Sequence, residues 1–361
     1  MGDCMIYYDG TKLLSLQDIN GNKPEIYMCT TNRTGGKTTY FSRLLVNRFL
    51  DRNEKFALIY RYNYELDNVA EKFFKDINTL FFPDYSMTSE RRASGIFHEL
   101  FLGKNSEDKK NSEDKKNAVS CGYAVSLNSA DQLKKYSHFF SDVQRMLFDE
   151  FQSETNHYCS NEIQKFISIH TSIARGQGKQ IRYVPVFMIS NPVSIINPYY
   201  VEMGISERLR DDTKFLRGNG FVLEQGFVQS AADAQKLSGF NAAFEKNEYI
   251  AYSTECVYLN DCTAFIEKPS GNSRYVCTMR YKNTDYAIRE FAEHGILYCD
   301  DRPDYTFPHR LAVTTDDHNI NLVMLKKHEM FISNLRYFFE RGAFRFKNLK
   351  CKECILKALS Y

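Results

Sequence analysis

A chain of 361 residues with 43% apolar and 25% charged side chains can bury two cores and is not a disordered polymer. A formal net charge of +2 excludes a polycation built for static nucleic-acid binding, so any contact with DNA has to be local. No window of about 18 apolar residues is present, so no membrane span is expected. Met1-Gly2-Asp3-Cys4 lacks the basic and apolar regions of a signal peptide, and the ten scattered cysteines are expected as reduced thiols.

In chain order, Glu25–Thr30 reads as a short apolar strand. Thr38–Leu50 reads as a helix with Phe41, Leu44, Leu45 and Phe49 on one face. Phe56–Tyr60 is a second buried strand, and strand, helix and strand together imply a parallel sheet. Lys104–Asn117 holds the hexapeptide Lys-Asn-Ser-Glu-Asp-Lys twice and cannot build a core, so it is expected as a solvated loop or hairpin tip. Two further buried strands are predicted at Arg145–Phe148 and Val184–Ser190. Residues 1–204 therefore read as an open α/β domain and 205–245 as a linker with a small helical element. Residues 246–361 read as a second domain. In it, strands at Tyr275–Tyr281, Tyr286–Phe291 and Ile296–Cys299 are joined by turns at Asn283–Asp285 and at His294-Gly295. Leu322–Phe339 reads as a long helix ending near Gly342. Cys351-Lys-Glu-Cys354 has no second pair to complete a zinc site, so these thiols are expected to be free.

The chemistry concentrates between the first strand and the helix. Thr31-Asn32-Arg33-Thr34-Gly35-Gly36-Lys37-Thr38 follows the phosphate-binding pattern GxxxxGK[ST], with Thr31 in place of the first glycine. Such a loop turns its N–H groups toward phosphates at a helix N-terminus. Lys37 is expected to neutralise β- and γ-phosphate charge, and Thr38 to ligate Mg²⁺ through its hydroxyl. Arg33 stands where it could face the γ-phosphate. Asp149-Glu150 ends the apolar run Met146-Leu-Phe, which puts two acids at the tip of a buried strand. Asp149 is expected to hold Mg²⁺ through water, and Glu150 to polarise the attacking water. Ser190-Asn191 ends another apolar strand and suits a sensor of the γ-phosphate or the catalytic water. Arg61 directly follows the second strand, near the expected nucleotide. Arg175 lies in a glycine-flanked segment from which it could reach a neighbour's nucleotide.

These pieces together resemble the DNA-packaging (encapsidation) ATPases of small phi29-like podoviruses. The strongest stretches are Phe56–Leu66, Leu147–Phe151, Ile189–Tyr199, Phe265–Lys268 and Val313–Asp317. The resemblance implies a P-loop ATPase domain of the additional-strand, catalytic-glutamate class with an open, mostly parallel sheet. It implies a C-terminal domain shaped like a degenerate RNase H nuclease. It also implies an ATP- and Mg²⁺-dependent translocase of double-stranded DNA. That translocase would act as a homopentameric ring on the portal of an empty procapsid in the cytoplasm of the infected bacterium. Arg175 falls where that family carries a trans-acting arginine, and Lys134 or Lys135 near its nucleotide-exchange lysine.

The C-terminal domain leaves one alternative open. Asp285, Asp300, Asp301, Asp316 and Asp317 are available to a two-metal nuclease, so a large terminase with an active nuclease is the competing expectation. A non-catalytic nucleotide-binding assembly protein is a third. Leu322–Tyr361 carries nine Lys/Arg against three Glu, a surplus that suits contact with phosphates of DNA or of a packaging RNA. The aromatics interleaved there are expected in the core.

Overall fold

The computed structural model describes residues 7–105, 118–210, 212–244, 246–247, 250, 258–259, 261 and 263–359. The first six residues and most of the duplicated lysine-rich segment, 106–117, lie outside them. The chain separates into two compact units. One comprises Met1–Phe151, Gln164–Asn191 and Asp211–Cys256. The other comprises Gln152–Ile163, Pro192–Arg210 and Val257–Tyr361.

The first unit is built on nine strands: β1 (Ile26–Thr30), β2 (Lys55–Tyr60), β3 (Tyr85–Arg92), β4 (Phe97–Lys104), β5 (Val119–Ser126), β6 (Val143–Asp149), β7 (Val186–Ser190), β8 (Phe215–Gly218) and β9 (Phe221–Gln225). They lie in the order β3-β4-β5-β2-β6-β7-β1-β9-β8. The six central strands, β5 to β9 in that order, are mutually parallel, and antiparallel strands close both edges. β1, β2 and β7 are near-continuous apolar runs because both faces of a central parallel strand are covered. Tyr27, Cys29, Phe56, Leu58, Leu147, Phe187 and Ile189 alternate onto one face. There they meet Phe41, Leu45 and Phe49 of the helix Lys37–Arg52 and Phe74 and Ile77 of the helix Val69–Phe81. On the opposite face Phe148 stacks on Phe166 of the helix Glu162–Ile173, ring centroids 5.8 Å apart.

One expectation is corrected in this unit. The stretch 205–245 is more than a linker, because it supplies β8 and β9, paired Gly218 to Phe221 across the Asn219-Gly220 turn. The glycine-flanked segment after Arg175 forms a defined turn. Gly176 and Lys179 exchange backbone hydrogen bonds of 3.2 and 3.1 Å around Gln177 and Gly178, whose φ values of +53° and +74° are those of a tight type I′ turn.

The second unit carries β10 (Arg274–Tyr281), β11 (Thr284–Phe291), β12 (Ile296–Asp300), β13 (Arg310–Ala312), β14 (Val323–Met324) and β15 (Phe344–Phe346), in the order β14-β13-β10-β11-β12-β15. β10, β11 and β12 are antiparallel, while β13 runs parallel to β10 and β14 parallel to β13. Three antiparallel strands followed by two parallel to the first is the RNase H arrangement, here extended by β15 beside β12. The first hairpin turns at Lys282-Asn283, one residue earlier than expected. Both residues have positive φ, as a two-residue type I′ turn requires. The C-terminal helix is also shorter than its apolar pattern suggested. Val323–Met324 is an edge strand, and the helix begins at Glu329.

Candidate functional site

Residues 31–36 connect β1 to the helix Lys37–Arg52, and the loop is held from both sides. Thr31 N–H donates to the Ser190 carbonyl at the end of β7 (3.4 Å), and Gly226 N–H to the Thr30 carbonyl (2.8 Å). The buried Asn32 amide accepts from Val228 N–H at 2.8 Å and donates to the Val228 carbonyl at 3.1 Å. Its side chain therefore clamps the segment after β9. From the N-terminal side Tyr8 N–H donates to the Gly35 carbonyl (2.8 Å), and the Tyr8 hydroxyl reaches the Glu224 carboxylate at 2.6 Å. Gly36 has φ +89°, and a Cβ there would come within 3.0 Å of the Tyr7 ring, so the position needs glycine twice over. No side chain caps the following helix, which leaves its first N–H groups facing the loop.

Lys37 is buried. Its Nζ donates to Asn191 Oδ1 at 2.6 Å and reaches the Thr31 carbonyl at 3.5 Å. Burial pushes this ammonium below its usual range, against the pull of the Asp149 and Glu150 carboxylates. Asp149 ends β6 and shares a hydrogen bond with the Thr38 side chain. Burial raises its carboxyl to about 6, the Glu150 charge adds to the rise, and Lys37 opposes it. Asp149 Oδ1 also accepts from the N–H of Glu150 at 2.8 Å. Glu150 is exposed and sits in the left-handed region, φ +54°, a conformation costly for a residue with a Cβ. Arg61 accounts for that turn. Its guanidinium donates to the Glu150 carbonyl at 3.2 Å and to the Phe151 carbonyl at 2.8 Å. Arg61 therefore fixes the acidic strand end.

Arg33, Thr34, Lys37, Thr38, Asp149, Glu150, Ser190 and Asn191 together line a cavity of about 230 Å³. Three separate strand ends supply it, and β7 stands between β1 and β6. The buried Ser190 Oγ has no hydrogen-bond partner within the protein. A hydroxyl and one carboxylate are a sparse donor set, which fits Mg²⁺, an ion that keeps water and phosphate oxygens as its remaining ligands. Sequence reasoning missed Tyr8, Glu224 and the segment after β9 at this loop. Only the strand order brings them there.

The model of the family described as Podovirus DNA encapsidation protein (Gp16) matches residues 2–359. The chain belongs to this family. It is similar to the DNA packaging protein of Bacillus phage phi29, 24% identical over 350 residues, which are 96% of this chain and 95% of that protein. The DNA packaging protein of Bacillus phage B103 is 26% identical over 319 residues, 87% of this chain and 89% of the relative. Among solved structures, the Phi-28 gp11 DNA packaging motor aligns with a TM-score of 0.54 at 16% identity over 98% of both chains. The bacteriophage Phi-29 viral genome packaging motor assembly aligns at 0.51, with 22% identity and 95% of both chains covered. At these identities the likeness is one of fold.

Within this encapsidation-family chain, Arg175 lines no part of the P-loop cavity. It is exposed and donates to Ser137 Oγ at 2.9 Å. Arg182, the next arginine, is buried and donates to the carbonyls of Val143 (2.7 Å), Phe140 (3.2 Å) and Ile173 (2.6 Å), which makes it a structural cross-brace. Lys134 and Lys135 are exposed, and Lys134 pairs with Asp131 at 3.1 Å. In the second unit three of the five candidate acids, Asp285, Asp300 and Asp301, are engaged by basic partners. Asp300 accepts from Arg289 at 3.0 Å, Asp301 pairs with Lys347 at 2.5 Å, and Asp285 lies 3.8 Å from both Arg280 and Arg310. Asp317 accepts from Asn283 N–H and from the Thr314 hydroxyl. Among the described residues no group of three His, Cys, Asp or Glu side chains is placed to hold a metal ion.

The basic surplus of Leu322–Tyr361 is partly internal. Lys352 is buried against Ser194 and Asp261, 2.8 Å from each, and Lys357 pairs with Glu202. Phe339, Phe344 and Phe346 are core residues as expected, whereas Tyr337 is exposed and Phe338 half-buried. The seven described cysteines are free and buried, and no helix among the described residues is long and apolar enough to cross a membrane.

Proposed function

We propose that this chain is the ATP-hydrolysing subunit of a motor that drives double-stranded viral DNA into a procapsid. The observation that carries the reading is the single cavity where Lys37, Thr38, Asp149, Glu150, Ser190 and Asn191 converge from β1, β6 and β7. Family membership and the names of the relatives support the DNA-packaging part.

Lys37 meets the β- and γ-phosphates, and the loop N–H groups with Arg33 hold the remaining charge. Thr38 and Asp149 hold Mg²⁺, which when bound neutralises phosphate charge. Glu150, held outward by its left-handed backbone and by Arg61, orients the attacking water and accepts its proton. Asn191 Oδ1 accepts from the Lys37 ammonium. When phosphate takes over that lysine, Asn191 is released, which makes it a reporter of occupancy on β7.

Arg175 acts on the nucleotide of a neighbouring subunit, since it is exposed and absent from its own cavity. That role requires a homo-oligomeric ring, five-membered by analogy with the family, seated on the portal with a packaging RNA as a further partner. Lys134 or Lys135 acts beside it in nucleotide exchange. The second unit is a nuclease fold without cutting activity, as the arginine partners of Asp285 and Asp300 support.

The test is ATP-dependent displacement of a third strand from a triplex on linear duplex DNA, with plasmid nicking in Mg²⁺ or Mn²⁺ read in parallel. Displacement that is lost in Lys37→Ala and Asp149→Ala, with intact plasmid throughout, is the expected result. Displacement by either variant would overturn the site. Nicking that disappears in an Asp285 or Asp300 variant would favour the terminase alternative.

A further inference from the structure

A second cavity, of about 240 Å³, lies on the far side of the Asp149-Glu150 strand end. It shares Thr38, Asp149 and Glu150 with the phosphate cavity and runs from them to the exposed Lys72 and Asp76. We infer that this cavity is the exit for inorganic phosphate after ATP is cleaved, an assignment that rests on the ATP reading of the P-loop.

The sheet order sets the direction. β7 and β1 lie on one side of β6 and lead to Asn191 and the phosphate loop. β2 lies on the other side of β6. The second cavity is walled there by Tyr60 and Arg61 and by the helices Lys37–Arg52 and Val69–Phe81. A triphosphate with its γ end at Glu150 and Asn191 leaves, on cleavage, a free phosphate with ADP and the loop behind it. The loop side stays filled until ADP departs. The opening past Glu150 gives phosphate a way out that does not wait for ADP, and its volume is far more than a single water needs.

The lining suits passage and not storage. Thr38, Thr39 and Ser42 fall on one stripe of their helix and line the cavity with hydroxyls. Ser42 is buried on a helix whose other buried side chains include Phe41, Leu45 and Phe49. Its small side chain leaves open a space that an apolar side chain of their size would fill. The charged groups of the inner wall are engaged within the protein. Arg61 donates to the carbonyls of Glu150 and Phe151, and the Glu65 carboxylate accepts from Tyr62 N–H at 2.6 Å. They pass phosphate without clamping it. At the mouth the Lys72 ammonium, 3.4 Å from the Glu65 carbonyl, draws the anion outward and offsets Asp76 one turn along the same helix.

The experiment follows a single turnover of ATP on the assembled full chain with duplex DNA, in the wild type, Asp76→Trp and Lys72→Glu. Acid quenching counts all phosphate cleaved, and a fluorescent phosphate-binding protein in the mixture counts only phosphate released. Both substitutions fall on exposed residues outside the P-loop, and thermal melts check that the variants fold. Cleavage is expected to stay within about twofold of wild type, while release slows by about tenfold and cleaved phosphate builds up on the protein in one or both variants. Departure of a fluorescent ADP is expected to be unchanged. Release that keeps pace with cleavage in both variants overturns the exit. Equal slowing of cleavage and release means a distorted site and overturns it too, as does ADP departure slowed along with phosphate. A wild type that cleaves no ATP overturns the P-loop reading beneath it.

Discussion

Asp149 shows how a single residue ties stability to pH. Burial above all raises its carboxyl from the ordinary 3.8 to about 6. The folded state therefore takes up the proton before the unfolded chain does. Above pH 6 the ionised group costs the fold stability, at most about 3 kcal/mol, and the cost disappears as pH falls from about 6 toward 4. In thermal melts, wild type is expected to gain on Asp149→Asn as pH drops from 7.5 to 5. A difference in melting temperature that stays flat across that window would contradict the burial. The motif Thr31–Thr38 and the Asp149-Glu150 pair were legible in sequence because each is a run of adjacent residues. Arg61 was read only as a residue near the expected nucleotide. Its hold on the Glu150 and Phe151 carbonyls is visible only in the fold. Lys72 and Asp76 carried no signal, since ordinary surface residues become a cavity wall only when their helix packs Phe73 against Phe56 of β2.

At the scale of elements, the segment between the helix ending at Ile173 and β7 holds two arginines with opposite fates. Arg182 donates to three backbone carbonyls, and Arg175 is exposed beside the turn that follows it. Arg182→Ala is expected to destabilise the fold by roughly 3 kcal/mol or more, because three acceptors lose their donor. Arg175→Ala is expected to leave denaturation unchanged and to abolish hydrolysis. Mixing Arg175→Ala with Lys37→Ala subunits should then restore part of the ATPase activity, because one supplies the P-loop and the other the arginine. No recovery at any ratio in assembled rings would count against action between subunits. Apolar runs decided which strands the sequence revealed. β1, β2 and β7 are such runs and were found, as was the apolar end Met146–Phe148 of β6, whereas β5, buried over Cys121–Ser126 but reading Val-Ser-Cys-Gly-Tyr-Ala-Val-Ser, was missed. β3 reads Tyr-Ser-Met-Thr-Ser-Glu-Arg-Arg, half exposed at the sheet edge, and shows no such run. β8 and β9 were missed although Asn219-Gly220 between short apolar pairs is a hairpin signal.

For the whole molecule, two sheets of different design divide the chain. The first is mostly parallel and gathers Lys37, Asp149, Glu150 and Asn191 around one cavity at the ends of its central strands, where open α/β sheets place their sites. The second has RNase H strand order, with Asp285, Asp300 and Asp301 paired to basic side chains. Sequence spacing could not reveal that division. The segments 152–163 and 192–210 leave β6 and β7 and belong to the second unit, so neither unit is one continuous stretch. The central claim is that Glu150 converts bound ATP into work on DNA. Steady-state ATP hydrolysis by the assembled full chain, with and without duplex DNA, tests it most directly when wild type is set beside Glu150→Gln. Wild type is expected to hydrolyse ATP faster on DNA, while Glu150→Gln binds ATP with unchanged affinity and turns over roughly 100-fold more slowly. Undiminished turnover in Glu150→Gln, or no DNA stimulation in wild type, would contradict the account.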